Sequence, residues 1–181
     1  MHIMPSSPES PITLADVQQR AFDRLLQAIS PGRLVVLIAG PGSGKSTLLR
    51  AAHEQRGGAL LGAAEIQRAV SERDPLAIED AVYSLVGEAL DSNDVVFVDD
   101  LHLVTQVVQG CHSYPRGGFI NVALAALTGR AAAMGRTLVV ATSHHMTDAL
   151  VRLGDRVFIT DFTASDYRTI CGSYLSPEQI Q

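Results

Sequence analysis

Cysteine is scarce in this chain of 181 residues: only Cys111 and Cys171 occur, and neither sits in a CxxC pair. A disulfide framework is excluded, and the usage fits a reduced compartment better than secretion. Positive charge is short as well. The 14 Lys and Arg stand against 19 Asp and Glu, a formal net charge of −5, so no overall field draws the chain to nucleic acid or an anionic membrane, although a local basic patch stays open. No apolar run approaches the length of a membrane span, and the opening "MHIMPSSPESP" has no apolar signal core. The expectation is a soluble, cytoplasmic protein. No internal repeat is visible.

What is present is apolar residue in quantity, 46% of the chain, enough to bury a core of ordinary size. The length suits one α/β unit and is too short for two. Residues 1–11, rich in Pro and Ser, read as a mobile tail. The next segment, "TLADVQQRAFDRLLQAIS", sets Leu14, Val17, Ala21, Leu25 and Ile29 near helical spacing, with Thr13 and Asp16 as its capping pair. "LVVLIA" (34–39) is a continuous apolar run of the kind covered on both faces. "ALL" (59–61), "VVFVD" (95–99), "TLVVAT" (137–142) and "RVFIT" (156–160) are further strands.

Helical patterns separate them. In "PLAIEDAVYSLVGEAL" Asp74 reads as N-cap and Pro75 as the first helical residue, with Ile78, Val82, Leu85, Val86 and Ala89 on one stripe. Residues 103–118 read as irregular, and a helix runs from about Phe119 to Ala133. Strands alternating with helices predict a three-layer α/β domain with a parallel sheet.

The stretch "AGPGSGKS" matches a phosphate-binding loop, with Ala39 where the strictest form has glycine. Gly40, Gly42 and Gly44 permit the backbone angles that turn successive N–H groups inward. Pro41 has no N–H, so the donors run from Gly42 through Ser43 to Thr47. The loop opens a helix, whose N-terminal dipole favours the same anion. Lys45 would reach the β and γ phosphates, Ser46 would ligate Mg²⁺, and Thr47 would touch the α phosphate.

"VVFVDDLH" ends its strand in two acids. Asp99 then lies at a carboxyl edge of the sheet, where ligands of open α/β folds sit, and can hold Mg²⁺ through its water shell. Asp100 is the acid that orients or activates an attacking water. The same pair could instead cap a helix in solvent. Ser143, at the polar end of "TLVVATSHH", is placed to bond the lytic water or the γ phosphate if its strand neighbours the previous one; ordinary strand-end polarity explains it too. His102, Cys111, His112, His144 and His145 match no zinc spacing and read as surface residues.

Strand-loop-helix with "AGPGSGKST", then "VVFVDD", "LVVATS" and "LVRLGDRVFITDFTASDYRTI", together resemble the AAA+ ATPases over roughly residues 31–175. The resemblance implies five parallel strands in the order 5-1-4-3-2. It makes Lys45 and Ser46 the Walker A lysine and hydroxyl, Asp99 the Walker B aspartate and Ser143 sensor 1. It further implies ATP and Mg²⁺ as ligands, adenine as the base, and a ring-type homo-oligomer that remodels a macromolecular partner. "LVRLGDR" is similar to the arginine-finger segment, with Arg152, or else Arg156, acting on the neighbouring subunit.

This sequence departs from the pattern in three places. The usual catalytic glutamate is replaced by Asp100, shorter by one methylene, which puts fast hydrolysis in question. The family's helical lid is represented only by residues 162–181, enough for one helix, so the chain reads as a core over 12–161 with an incomplete lid. The segment "GAAEIQRAVSERD", where family unfoldases carry a pore-loop aromatic, has none; Tyr114 and Phe119 are the later aromatics that could touch a substrate. The guanine-reading NKxD motif is absent from the sequence, in keeping with adenine. Two other functions stay open beside the ATPase. A small-molecule or nucleotide kinase shares the loop and sheet but needs an arginine-rich lid, and the last twenty residues offer only Arg168. A nucleotide-gated binding module with little hydrolysis suits Asp100 and the short lid.

Overall fold

The computed structural model describes residues 13–74, 77–110, 118–143 and 146–174. In chain order the elements are α1 (Asp16–Ala28), β1 (Leu34–Ile38), α2 (Lys45–Arg56), β2 (Ala59–Leu61), α3 (Ala63–Ser71), α4 (Ile78–Ser92), β3 (Val95–Val98), α5 (Leu101–Gly110), α6 (Phe119–Ala133), β4 (Thr137–Thr142), α7 (Asp148–Leu153), β5 (Asp155–Phe158) and α8 (Ala164–Tyr174). The five strands form one sheet in the order β2-β3-β4-β1-β5. All four pairings are parallel. This is the order 5-1-4-3-2 read from the opposite edge.

Strands β1 and β4 are buried along their whole length, because helices cover both faces. The pleat divides their side chains between two cores. Val36, Ile38, Val98 and Val140 meet Leu90 of α4 and Leu127 of α6 on one face. Val35, Leu37, Phe97 and Val139 meet Leu25 of α1 and Leu48 of α2 on the other. Phe97 is fully buried, with the His53 ring of α2 set edge-on at 6.0 Å. Truncating such a ring costs about 3–5 kcal/mol. Among the described residues no helix is long and apolar enough to cross a membrane.

Three local expectations need correction. Helix α1 is not capped by Thr13 and Asp16. Its N-cap is Ala15, which has no capping side chain, and the Gln18 carboxamide accepts the Ala15 N–H at 3.0 Å instead. Helix α4 starts at Ile78, after a turn in which the Ala77 N–H bonds the Asp74 carbonyl at 2.9 Å. Asp74 therefore closes a turn rather than capping the helix, and Pro75 lies outside the described residues. Its apolar stripe is as read, with Val82 and Val86 buried and Ile78, Leu85 and Ala89 packed against them.

The third correction is α5, which occupies the first half of the stretch read as irregular. Its β-branched residues are poor helix formers, yet Leu101, Val104 and Val108 fall on one stripe and are buried, so packing overrides propensity. The tail 1–11, together with Cys111, His112, Tyr114, His144, His145 and residues 175–181, lies outside the described residues.

Candidate functional site

The loop from Gly40 to Gly44 joins β1 to α2, and its shape depends on two glycines in the left-handed region, Gly42 at φ 74° and Gly44 at φ 88°. Gly44 is also the N-cap of α2, and no side chain caps the helix. The first N–H groups of α2 thus face the loop mouth without a side-chain acceptor, as an anion site requires. Ser43 Oγ donates to the Gly40 carbonyl at 2.7 Å, bracing the turn.

Lys45 is buried at 6% exposure. A buried ammonium must be solvated by the protein. Here Nζ donates to the carbonyls of Ala39 and Gly40 at 3.1 and 2.9 Å, which holds the charge at the end of β1. Ser46 and Thr47 follow in the first turn of α2, half-buried.

Beside the loop lies a cavity of about 400 Å³. Gly40, Pro41, Gly42 and Ser43 form one wall; Asp161, Phe162, Tyr167 and Ile170 form the other. The Phe162 and Tyr167 rings lie 5.5 Å apart and tilted by 37°. The far wall is thus largely aromatic and aliphatic, with a carboxylate at Asp161.

Strand β4 lies between β1 and β3, so the carboxyl ends carrying the loop, the acidic pair and Ser143 are neighbours. Asp99 continues the ladder, its N–H bonding the Leu61 carbonyl at 2.8 Å. The pleat puts it on the Phe97 face, which α2 covers. It is buried, and its Oδ1 accepts the Asp100 N–H at 2.9 Å. Ser143 is also buried, and its hydroxyl meets no hydrogen-bond partner among the described residues.

Asp100 diverges from its neighbour. Its φ is +54°, a left-handed conformation that Asp tolerates better than most residues. Its carboxylate stands 3.7 Å from His102 Nδ1, at the rim of a second cavity of about 500 Å³ between α3 and α5. Ile66, Val70, Leu103 and Val107 line that groove. The groove is larger than the cavity beside the loop, and its described lining is mainly aliphatic. Arg152 is exposed in the last turn of α7 and does not line the cavity beside the loop. Arg156 is exposed on β5.

Two residues that the sequence did not single out complete the site. Gln18 Nε2 donates to the Ser43 carbonyl at 3.1 Å, reaching the loop from α1. Asp166 of α8 is buried, and its carboxylate accepts from the Thr163 N–H and hydroxyl at 2.8 and 2.6 Å and from the Val17 N–H at 3.1 Å. Those bonds, the Thr163 hydroxyl foremost, hold its pKa below the ordinary carboxylate value. Only the spacing of Thr163 and Asp166, a capping box with aspartate in the third position, hinted at this in the sequence.

No family model matches the chain, and no curated protein matches its sequence. Solved structures do resemble it. A DNA replication initiation factor superposes with a TM-score of 0.55 at 16% identity, over 87% of this chain and 48% of its own. Domain III of the Thermotoga maritima replication initiation protein DnaA gives 0.61 at 15% identity, over 95% of this chain and 80% of its own. The chain spans about half the length of the first of these. At such identities the shared property is the fold alone, an α/β domain with a five-stranded parallel sheet in the strand order that the resemblance to AAA+ ATPases implied.

Proposed function

We propose that this chain binds Mg·ATP at the loop and hydrolyses it at a subunit interface, as the core of a cytoplasmic AAA+ type ATPase that remodels a macromolecular partner. The observation that carries the reading is the helix α2 N-terminus: left-handed Gly42 and Gly44 shape the loop, no side chain caps the helix, and Lys45 is buried beside it. Backbone N–H groups from Gly42 to Thr47 would cradle the phosphates. Lys45 would exchange a loop carbonyl for a γ-phosphate oxygen. Charge-assisted bonds of this kind contribute about 1.5–3 kcal/mol each, so a few of them reach the ~8 kcal/mol of micromolar affinity.

The hydroxyl of Ser46 and the carboxylate of Asp99 are hard oxygen donors on one face of the sheet, a set that fits Mg²⁺. The ion, when bound, neutralises charge developing on the phosphates. Ser143 offers its unengaged buried hydroxyl to the γ phosphate or the water. Asp100 would orient that water and accept its proton. The aromatic flank at Phe162 and Tyr167 suits the flat face of a nucleobase, adenine in our reading. Arg152, turned to solvent, would serve the neighbouring subunit of a homo-oligomer, and residues 162–181 would begin a helical lid.

A second reading, a nucleotide-gated module that barely hydrolyses, gains support from Asp100, whose carboxylate sits by His102 at the α3–α5 groove. Titration of Lys45→Ala with a fluorescent ATP analogue tests the shared claim. Loss of binding is expected, and unchanged affinity would sink it. Phosphate release by the wild-type chain then separates the two readings.

A further inference from the structure

Two hydrogen bonds from distant parts of the chain converge on the first turn of α1. Gln18, 7% exposed, uses both ends of its carboxamide: Oε1 accepts from the Ala15 N–H, and Nε2 donates to the Ser43 carbonyl. The adjacent Val17 N–H is held by Asp166, from the first turn of α8. The loop and α8 are the two walls of the same cavity. Both walls are therefore tied to one helical turn, and that turn is itself buried at Ala15 and Val17. A Cβ at Gly44 would fall 2.4 Å from Gln18 Nε2, so the loop has closed on this carboxamide as tightly as glycine allows.

We propose that Gln18 is a positioning residue for the phosphate loop and that, with Asp166, it couples the placement of α8 to the placement of that loop. For its functional consequence this rests on the nucleotide-binding reading above. A displacement of α8 pulls on the Val17 N–H, turns the first turn of α1, and shifts the carboxamide that fixes Ser43. A ligand that presses on α8 in the cavity is in this way registered at the loop.

Hydrogen exchange of the Ala39 and Leu48 amides, which frame the loop and bond the Thr142 and Gly44 carbonyls, measured on the full chain without nucleotide, tests the coupling directly. Gln18→Met keeps the side-chain length and removes both bonds; Gln18→Glu keeps the acceptor for Ala15 but has no donor for Ser43. Both variants should speed exchange of these two amides about tenfold, the effect of one lost hydrogen bond, and leave the amides of β4 unchanged. Their ATP dissociation constants should rise by a similar factor. Asp166→Ala should speed the same two amides from the far side. Exchange of both at the wild-type rate in Gln18→Glu would overturn the positioning role, leaving Gln18 a helix cap only. Acceleration confined to α1 and α8 in Asp166→Ala would overturn the coupling. A wild-type chain that binds no ATP would remove the proposed function, while exchange of the two amides would still decide this inference.

Discussion

Asp166 and Val17 stand 149 positions apart, yet the carboxylate of one accepts the backbone N–H of the other at 3.1 Å. The same carboxylate closes the first turn of α8 through Thr163, so one ionised group ends two helices at once. Arg20 adds a favourable charge nearby.

That arrangement makes stability depend on acid. Hydrogen bonding to Thr163 lowers the folded pKa of Asp166, so the unfolded chain binds the proton more readily than the folded one. The stabilisation is complete above the ordinary carboxylate pKa of about 3.9 and is lost as pH falls through the lowered value. Melting temperatures taken from neutral pH down to about 3 should show wild type and Asp166→Asn converging. A constant gap at every pH would show that the charge of Asp166 carries none of it.

Gly44→Ala should damage both fold and loop. The alanine must adopt φ near 88°, a strain of about 1–2 kcal/mol, and its methyl would displace the Gln18 carboxamide. Urea denaturation and nucleotide titration of one preparation would read the two effects. An unperturbed midpoint would mean that the loop relaxes around the methyl.

The adjacent acids should separate in their variants. Asp99→Asn, on the α2 face, should raise the Mg²⁺ concentration needed for ATP binding. Asp100→Asn should leave binding intact and trap ATP unhydrolysed; hydrolysis at the wild-type rate would strip Asp100 of its role. Light scattering of the trapped form with Mg·ATP should show a ring-sized mass, and a monomer with and without nucleotide would argue against assembly.

If Arg152 acts across an interface, Arg152→Ala and Lys45→Ala should each be inactive alone. Mixed together they should regain activity, because one interface then holds an intact loop and an intact arginine. The expected loss in Arg152→Ala is on the order of 10³-fold or more in turnover, with unchanged affinity. A mixture as inactive as its parts would place Arg152 outside the reaction.

The strands and the loop were legible in the sequence because their causes are local. Continuous apolar runs such as 34–39 have few alternatives to a buried strand, and the glycines of the loop announce the angles they adopt. The helix read from about Phe119 to Ala133 is α6. Gln18 and Asp166 were not legible, because each looks like a polar residue on the wet side of a helix and its partner is set by tertiary contact. Helix α5 was hidden by Val104, Thr105, Val107 and Val108, whose branching argues for strand until Leu101, Val104 and Val108 find a core to bury in. The divergence of Asp99 and Asp100 was invisible for a different reason. Their separation comes from a single backbone angle at Asp100, which no spacing encodes.

The central place of β1 in the sheet has a consequence for how the chain is made. Val35 pairs with Val139 on one side and Asp155 on the other, so both partners emerge from the ribosome about a hundred residues after it. At about 5–20 residues per second, the first strand spends seconds with two open edges and an apolar face on each side. Parallel pairing across such distances is slow to nucleate. A nascent chain stalled after β3 would hold its most hydrophobic strand unpaired, and an unpaired apolar strand is a template for aggregation.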